Sequence, residues 1–323
     1  MIAPLAKFID WSAIQALTLL ELNNHGQNPR LEEALQFLKG PDFIPANSQS
    51  AQLEFNPDKS GRHFRFPTPR TCGLAENNVV YGRLYRCAER WRERPVIVLL
   101  HGRLDYFNHW FKFPLIARRC NRAGFNAATL VLPFQFQRRP RRLSDLRGPD
   151  YLRMAKTTAQ AVAEIRALTG CLLEQGCPAV ALWGISYGAW LAGLTVSHDS
   201  RLAAAVLTIP GVRINTEFAD PVIWRSIRKR LRERLAAFEA LNRTALNLTT
   251  AQPAIPKENL LLIDAMYDLM VPKEVTKELW QAWGRPDLWR LPHGHISIVC
   301  MTAPGVTGRV LRWLTPRLKH CTK

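Results

Sequence analysis

The stretch AVALWGISYGAWLAGL, residues 179–194, decides the fold of this chain. It opens with five apolar residues, as expected for a strand buried on both faces, and the residues after Gly188 are small or apolar, as in a packed helix. Between them lies Gly184-Ile185-Ser186-Tyr187-Gly188, a G-x-S-x-G pattern. A turn this tight needs glycine at both flanks, and it lifts the serine clear of the sheet. The stretch therefore predicts an accessible serine at a helix N-terminus.

Apolar segments of strand length recur along the chain, and a helical stretch over 153–175 lies between two of them. Repetition of strand, helix and strand implies an α/β fold with a mostly parallel central sheet and helices on both faces. In such sheets, ligands bind beyond the carboxyl ends of the strands. The predicted strands are 79–86, 96–100, 125–132, 179–183, 203–209 and 260–263.

Sequence character divides the chain into two predicted regions. Residues 1 to about 40 have a helical pattern, and residues 40–71 carry five prolines, so 1–75 is predicted to be a peripheral helical and irregular extension. The α/β domain is predicted over 76–323. Within it, the sequence at about 211–256 becomes helical and strongly basic, which predicts an inserted lid. Its basic residues include Arg228, Lys229, Arg230 and Arg232.

Two side chains after later strands complete a catalytic pattern with the serine. Asp268 is followed by Val271-Pro272 beyond the strand at 260–263, and His295 follows Gly294 after a short strand-like segment. Ser186, Asp268 and His295 thus occur in the order nucleophile, acid, base. Asp264 is the alternative acid.

The strand VIVLL, residues 96–100, ends in His101-Gly102-Arg103. The backbone N–H of Arg103 is predicted to join that of Tyr187 in an oxyanion hole, because two such donors stabilise the negative oxygen formed during acyl transfer. His101 and His293 are interpreted as structural hydrogen-bonding residues.

Together these motifs resemble those of the α/β-hydrolase superfamily, from about Val79 to the C-terminus. The resemblance implies the α/β-hydrolase fold and an acyl-enzyme mechanism without metal or cofactor, in which Ser186 attacks an ester, His295 takes its proton and Asp268 orients the imidazole. The segments HGRLDYFNHW and LPFQFQRRP are similar to a bacterial branch near the dienelactone-hydrolase and acyl-peptidase-like groups. Many members have His or Gly ahead of the acid turn, where this chain has Asp264 and Ala265.

Aromatic and basic residues close to the predicted site indicate the substrate class. Tyr106, Trp110 and Phe134 follow the ends of predicted strands and favour an apolar acyl or aromatic group. Arg138 and Arg139 begin an arginine run that continues through Arg142, and it is predicted to hold an acidic group of the substrate. The predicted partner is therefore a small ester, with an anionic group as an option.

The net charge of +18 and the pI of about 10.2 attract anionic partners. The basic residues are spread along the chain without a recognised nucleic-acid motif, which argues against nucleic-acid binding; association with an anionic membrane surface stays open. Seven cysteines without a C-x-x-C pair fit reduced thiols. The first 22 residues are read as an amphipathic helix, not a signal peptide, so the expected location is the cytoplasm.

Two other functional classes use the same sequence features. An acyltransferase would use the same three residues but exclude water, and a catalytically silent α/β-hydrolase-fold protein would bind partners without needing Ser186. Because Ser186, Asp268 and His295 are all present, the sequence favours a hydrolase over the silent protein. A basic nucleic-acid-binding protein is the remote alternative.

Overall fold

In a computed structural model of the protein, the described residues are 3–22, 30–46, 49–56, 62–103, 105–140, 150–213, 232–301 and 304–319. Their strands are β1 (Glu54–Phe55), β2 (His63–Pro67), β3 (Val79–Tyr85), β4 (Val96–Leu100), β5 (Asn126–Leu130), β6 (Val180–Ile185), β7 (Ala204–Thr208), β8 (Leu260–Ala265) and β9 (Asp287–Leu291). Their α-helices are α1 (Ala3–Leu22), α2 (Leu31–Lys39), α3 (Phe113–Arg122), α4 (Tyr151–Glu174), α5 (Tyr187–Val196), α6 (Arg232–Leu241), α7 (Lys273–Ala282), α8 (His295–Met301) and α9 (Pro304–Lys319).

The described strands form one sheet in the order β1-β2-β3-β5-β4-β6-β7-β8-β9. Strands β4 to β9 run parallel, and β1, β2 and β3 add an antiparallel edge. At the centre, Val96 of β4 lies opposite Asn126 on one side and Val180 on the other. The predicted α/β fold with a mostly parallel sheet and flanking helices is confirmed.

Alternate residues of the central strands pack into two apolar layers, one on each face of the sheet. Val98 of β4 contacts the layer that contains α4 and α5, whereas Leu99 contacts the layer that contains α3 and α9. All five residues of β4 are buried. This burial explains the uninterrupted apolar sequence of β4, because a strand covered on both faces has no solvent-facing positions.

Residues before 76 contribute to the same sheet, which differs from the peripheral extension predicted for 1–75. Five residues of β2 pair with β3, from His63 opposite Arg83 to Pro67 opposite Val79. Helix α2 packs against α4, and α1 packs against α8. The apolar side chains Phe64 and Phe66 supply the driving force, because both are buried in the core beside the sheet.

The predicted lid is only partly described. Arg228, Lys229 and Arg230 lie outside the described residues, as does the side chain of Arg232. The later part of the segment packs on the domain: Leu248 is buried beside Gly193 of α5, and its N–H donates to the carbonyl of Val212. Residues 237–250 therefore belong to the core layer that covers α5.

Three further observations concern the described residues alone. No helix among them has both the length and the apolar character needed to cross a bilayer. They contain no group of three His, Cys, Asp or Glu side chains that could hold a metal ion. The cysteines whose side chains are described, Cys72, Cys87, Cys120, Cys171 and Cys177, are free thiols, and all except Cys87 are buried.

Candidate active site

Ser186 lies in a strained turn between β6 and α5. Its backbone has φ 52° and ψ −115°, a conformation that costs energy for any residue with a Cβ atom. Both flanking glycines are required because a side chain would clash with backbone. A Cβ on Gly184 would lie 2.3 Å from the carbonyl oxygen of Gly188, and a Cβ on Gly188 would lie 2.3 Å from the carbonyl oxygen of Leu100. The turn thus has the geometry that the G-x-S-x-G pattern predicts.

Ser186, His295 and Asp268 form a continuous hydrogen-bonded chain. The Oγ of Ser186 lies 2.9 Å from Nε2 of His295, and Nδ1 of His295 lies 2.8 Å from Oδ2 of Asp268. Because an ionised carboxylate only accepts hydrogen bonds, Nδ1 carries the proton and Nε2 is left to accept the serine hydroxyl hydrogen. The structure thus brings together Ser186, Asp268 and His295, the three residues predicted from their motifs and their order along the chain.

The turn after β8 fixes the carboxylate of Asp268. Its Oδ1 accepts hydrogen bonds of 2.7 Å from the backbone N–H groups of Met270 and Val271. Pro272 follows immediately and precedes the first turn of α7. The remaining oxygen, Oδ2, is directed to His295.

Asp264, the alternative acid, has a different partner. It is the second-last residue of β8 and is buried, and its Oδ2 accepts a 3.1 Å hydrogen bond from Nε of Arg290 on β9. Burial raises the pKa of this carboxyl group, and the neighbouring Arg290 charge opposes that effect. The histidine contact therefore belongs to Asp268.

The loop after β4 is held by an aspartate that the sequence analysis missed. Asp105 accepts hydrogen bonds from the backbone N–H of Gly102 (3.3 Å) and of Asn108 (3.0 Å). These bonds fold the chain around Arg103, which is exposed. An Asp three residues before Asn108 at a helix start is a capping pattern, and this signal could have identified it. Tyr187 begins α5, so its N–H is among the first amides, which lack an acceptor within the helix.

An aromatic cluster lies beside this loop. The ring of Phe136 is 4.7 Å from that of Tyr106 and 4.6 Å from that of His109. Phe134 is half-buried, and both Phe134 and Phe136 adopt positive φ angles, 61° and 52°. Trp110 is exposed and stacks under the guanidinium of Arg83 at 4.3 Å. Of the aromatic residues predicted to bind substrate, Tyr106 and Trp110 are exposed to solvent.

His101 links two strand ends. Its Nδ1 lies 2.7 Å from the carbonyl oxygen of Gly102, and its Nε2 lies 3.2 Å from the backbone N of Leu132. Since the carbonyl accepts and the amide donates, Nδ1 carries the proton and the ring is neutral. Burial lowers the pKa of His101 to about 4 and that of the neighbouring His109 to about 3.

These two neutral histidines make stability depend on pH. The pKa values of both are below 6.5 in the folded protein, so at acidic pH the unfolded chain binds protons that the folded chain does not. We expect the free energy of unfolding to fall as pH drops from about 6.5 toward 4, by up to about 1.4 kcal/mol per pH unit for each histidine. Urea unfolding at about pH 7 and pH 5 measures this fall.

The variant His109→Phe keeps an aromatic ring against Phe136 but cannot be protonated. It should therefore lose less stability at acidic pH than the wild type. His63→Gln is the control, because His63 is exposed on β2. If His109→Phe and the wild type lose equal stability between the two pH values, the neutral state of buried His109 does not contribute to the pH dependence of the free energy of unfolding.

Arg138 requires a correction, because the structure does not leave it available to a substrate. Its side chain is fully buried, and both terminal nitrogens bond the carboxylate of Glu164, at 2.7 and 2.6 Å. They also donate to the carbonyl oxygens of Val131 and Asn77. Arg139 is exposed, and Arg141 and Arg142 lie outside the described residues. Strand-end position suggested a substrate contact for Arg138, but burial with Glu164 on α4 makes it a structural ion pair.

We expect Arg138→Met to lower the free energy of unfolding by about 3–5 kcal/mol, because it leaves the Glu164 carboxylate buried without its partner. The double variant Arg138→Met with Glu164→Leu should recover most of this loss, as measured by urea unfolding. Arg139→Gln, at an exposed position, should change stability by less than about 0.5 kcal/mol. An Arg138→Met protein of wild-type stability with a raised KM for a carboxylated ester alone would restore the substrate role.

The fold and the strained serine turn define the class: this chain has the α/β-hydrolase fold. Its structure superposes on acetyl xylan esterase 1 of Thermoanaerobacterium with a TM-score of 0.59 and 12% identity, covering 90% of this chain and 94% of the other. It superposes on the esterase PF2001 of Pyrococcus furiosus with a TM-score of 0.55 and 17% identity, covering 84% and 99%. At these identities the likeness establishes the fold.

The curated relatives come from Mycobacterium tuberculosis. The uncharacterized proteins Rv2627c of strain H37Rv and MT2702 of strain CDC 1551 are each 28% identical over 248 residues, covering 70% of this chain. The match covers 55% of their length, so this chain spans about half of the relatives it matches. No family model matches the chain.

Proposed function

We propose that this protein is a serine hydrolase that cleaves carboxylic esters. The observation that carries the proposal is the hydrogen-bonded chain from Ser186 through His295 to Asp268, with the serine in a strained turn at a helix N-terminus. A serine hydroxyl is a weak nucleophile until an adjacent base takes its proton. Here Nε2 of His295 lies 2.9 Å from Oγ of Ser186 and can act as that base. The esterases among the solved structures of the same fold support ester chemistry in particular.

Each group has a defined part in the proposed reaction. His295 Nε2 takes the hydroxyl proton as Ser186 Oγ attacks the ester carbonyl, and Asp268 stabilises the resulting imidazolium. The N–H groups of Tyr187 and Arg103 bind the oxyanion of the tetrahedral intermediate, a contribution of about 3–4 kcal/mol per donor. His295 then protonates the leaving alcohol. Water, activated by the same imidazole, releases the acid from the acyl-enzyme.

The distribution of exposed apolar side chains favours an apolar acyl or aromatic group in the substrate. All the large exposed hydrophobic side chains in the described residues lie on three segments. One is α1, which packs on the helix that begins with His295; the second follows Arg103; the third immediately precedes Asp268. Apolar surface concentrated around a site marks a binding surface. These residues are Leu5, Phe8, Trp11, Tyr106, Phe107, Trp110, Phe111, Leu115 and Met266.

A fluorophosphonate probe tests the proposal, because it reacts readily with a serine hydroxyl that an adjacent base activates. We expect stoichiometric labelling, located at Ser186 by peptide mass spectrometry. Hydrolysis of p-nitrophenyl acetate and octanoate then tests the acyl preference, with higher kcat/KM expected for the octanoate. A folded protein that neither reacts with the probe nor hydrolyses either ester would contradict the proposal and favour a catalytically silent fold.

A further inference from the structure

A buried aspartate on the first helix contacts the loops that carry the proposed base and acid. Asp10 of α1 is completely buried. Its Oδ2 accepts hydrogen bonds from the backbone N–H of His295 (2.7 Å) and of Leu269 (3.2 Å), and its Oδ1 accepts one from Ile296 (2.9 Å). One carboxylate therefore binds His295 itself and the residue next to Asp268.

The packing around Asp10 is adapted to this contact. A Cβ atom on Gly294 would lie 2.8 Å from Oδ2 of Asp10 and 3.0 Å from the carbonyl oxygen of Ala6. Only glycine therefore allows α1 to approach the chain immediately before His295. A buried carboxylate is costly unless it is hydrogen-bonded, and three backbone donors satisfy it here.

We propose that Asp10 is a positioning residue that fixes the separation of His295 and Asp268, so that the imidazole stays between the carboxylate and Ser186. The inference rests on the proposed hydrolase function. His295 begins α8 and Asp268 lies in the turn after β8. Backbone hydrogen bonds between the two loops, from the N–H of Met266 to Leu291 and from the N–H of Tyr267 to His293, end two residues before His295. The carboxylate of Asp10 extends this connection to His295 itself. Its contribution is to kcat, because proton transfer depends on the spacing of these groups whereas substrate binding does not.

The test uses Asp10→Asn, which keeps the size of the side chain. An amide has one acceptor oxygen, so it cannot serve both Oδ1 and Oδ2 donors, and its NH₂ group faces at least one backbone N–H. We expect kcat for p-nitrophenyl esters to fall about 10–100-fold with KM within about twofold. Amide hydrogen exchange at Leu269, His295 and Ile296 should become faster. Ser12→Ala on the same helix is the control, since Ser12 is exposed and its hydroxyl bonds the carbonyl of Phe8 within the helix. Neither kcat nor the exchange of these amides should change in that variant.

Gly294→Ala is a second route to the same contact, because its added methyl group displaces the Asp10 carboxylate without removing its charge. Its loss of kcat and that of Asp10→Asn should not add in the double variant, because both act through one contact. Additive losses, or a folded Asp10→Asn protein with kcat within about twofold of the wild type, would overturn the inference. Amide hydrogen exchange measures the Asp10 contact independently of catalysis, so unchanged exchange in Asp10→Asn would also overturn the inference. A lack of esterase activity in the wild type would instead contradict the proposed function alone.

Discussion

Ser186→Ala is expected to reduce kcat/KM for p-nitrophenyl esters by about 10⁴-fold or more, because the members of the proposed triad act as one unit and Ser186 is the group proposed to form the acyl-enzyme. Labelling by a fluorophosphonate should disappear. The backbone of residue 186 has φ 52°, and alanine carries the same Cβ strain there as serine. The fold and the free energy of unfolding should therefore change little, as circular dichroism and urea unfolding would show.

Ser197→Ala is the matched control for this substitution. Ser197 is the C-terminal cap of α5, the helix that Ser186 caps at its N-terminus, and its hydroxyl bonds the carbonyl of Gly193 within that helix. It should retain wild-type turnover and full probe labelling. Substantial ester hydrolysis by a folded Ser186→Ala protein would show that the activity arises from another group.

The hydrogen-bonded arrangement of Ser186, His295 and Asp268 could be predicted from sequence because each of the three residues lies in a short local pattern. Ser186 needs glycine on both sides, and Asp268 needs a turn that ends in Val271-Pro272. The central strands were predictable for a similar reason, since burial on both faces makes β4 wholly apolar. Steric requirements and burial restrict the residue types at contiguous positions, so features of this kind can be predicted without the structure.

The remaining contacts join residues that are distant along the chain. Asp10 and His295 are separated by 285 positions, and Arg138 and Glu164 by 26. Because charged residues are mostly exposed, a single aspartate in a helical segment or an arginine in a run of arginines is predicted to be solvated. Its burial depends on tertiary packing, which the local sequence does not show. The pairing of β2 with β3 was missed for the same reason, because five prolines over 40–71 indicated an irregular connection.

Asp268→Asn is expected to lower kcat by about 10⁴-fold while leaving the backbone geometry intact. The Asp268 carboxylate accepts from Nδ1 of His295 and from two backbone N–H groups. An asparagine would keep its oxygen on the backbone donors and turn its NH₂ group toward the imidazole. The ring would then hold its proton on Nε2, where it cannot accept the hydroxyl hydrogen of Ser186.

Asp264→Asn distinguishes this assignment from the alternative acid. Asp264 is buried and bonds the exposed guanidinium of Arg290, and an amide oxygen can still accept that hydrogen bond, so the loss of stability should stay within about 1–3 kcal/mol. Its kcat should stay within about threefold of the wild type, because its hydrogen bond goes to Arg290 and not to the imidazole. Steady-state kinetics of the two asparagine variants at one pH gives the comparison. A large loss of kcat in Asp264→Asn with little loss in Asp268→Asn would move the acid to the end of β8.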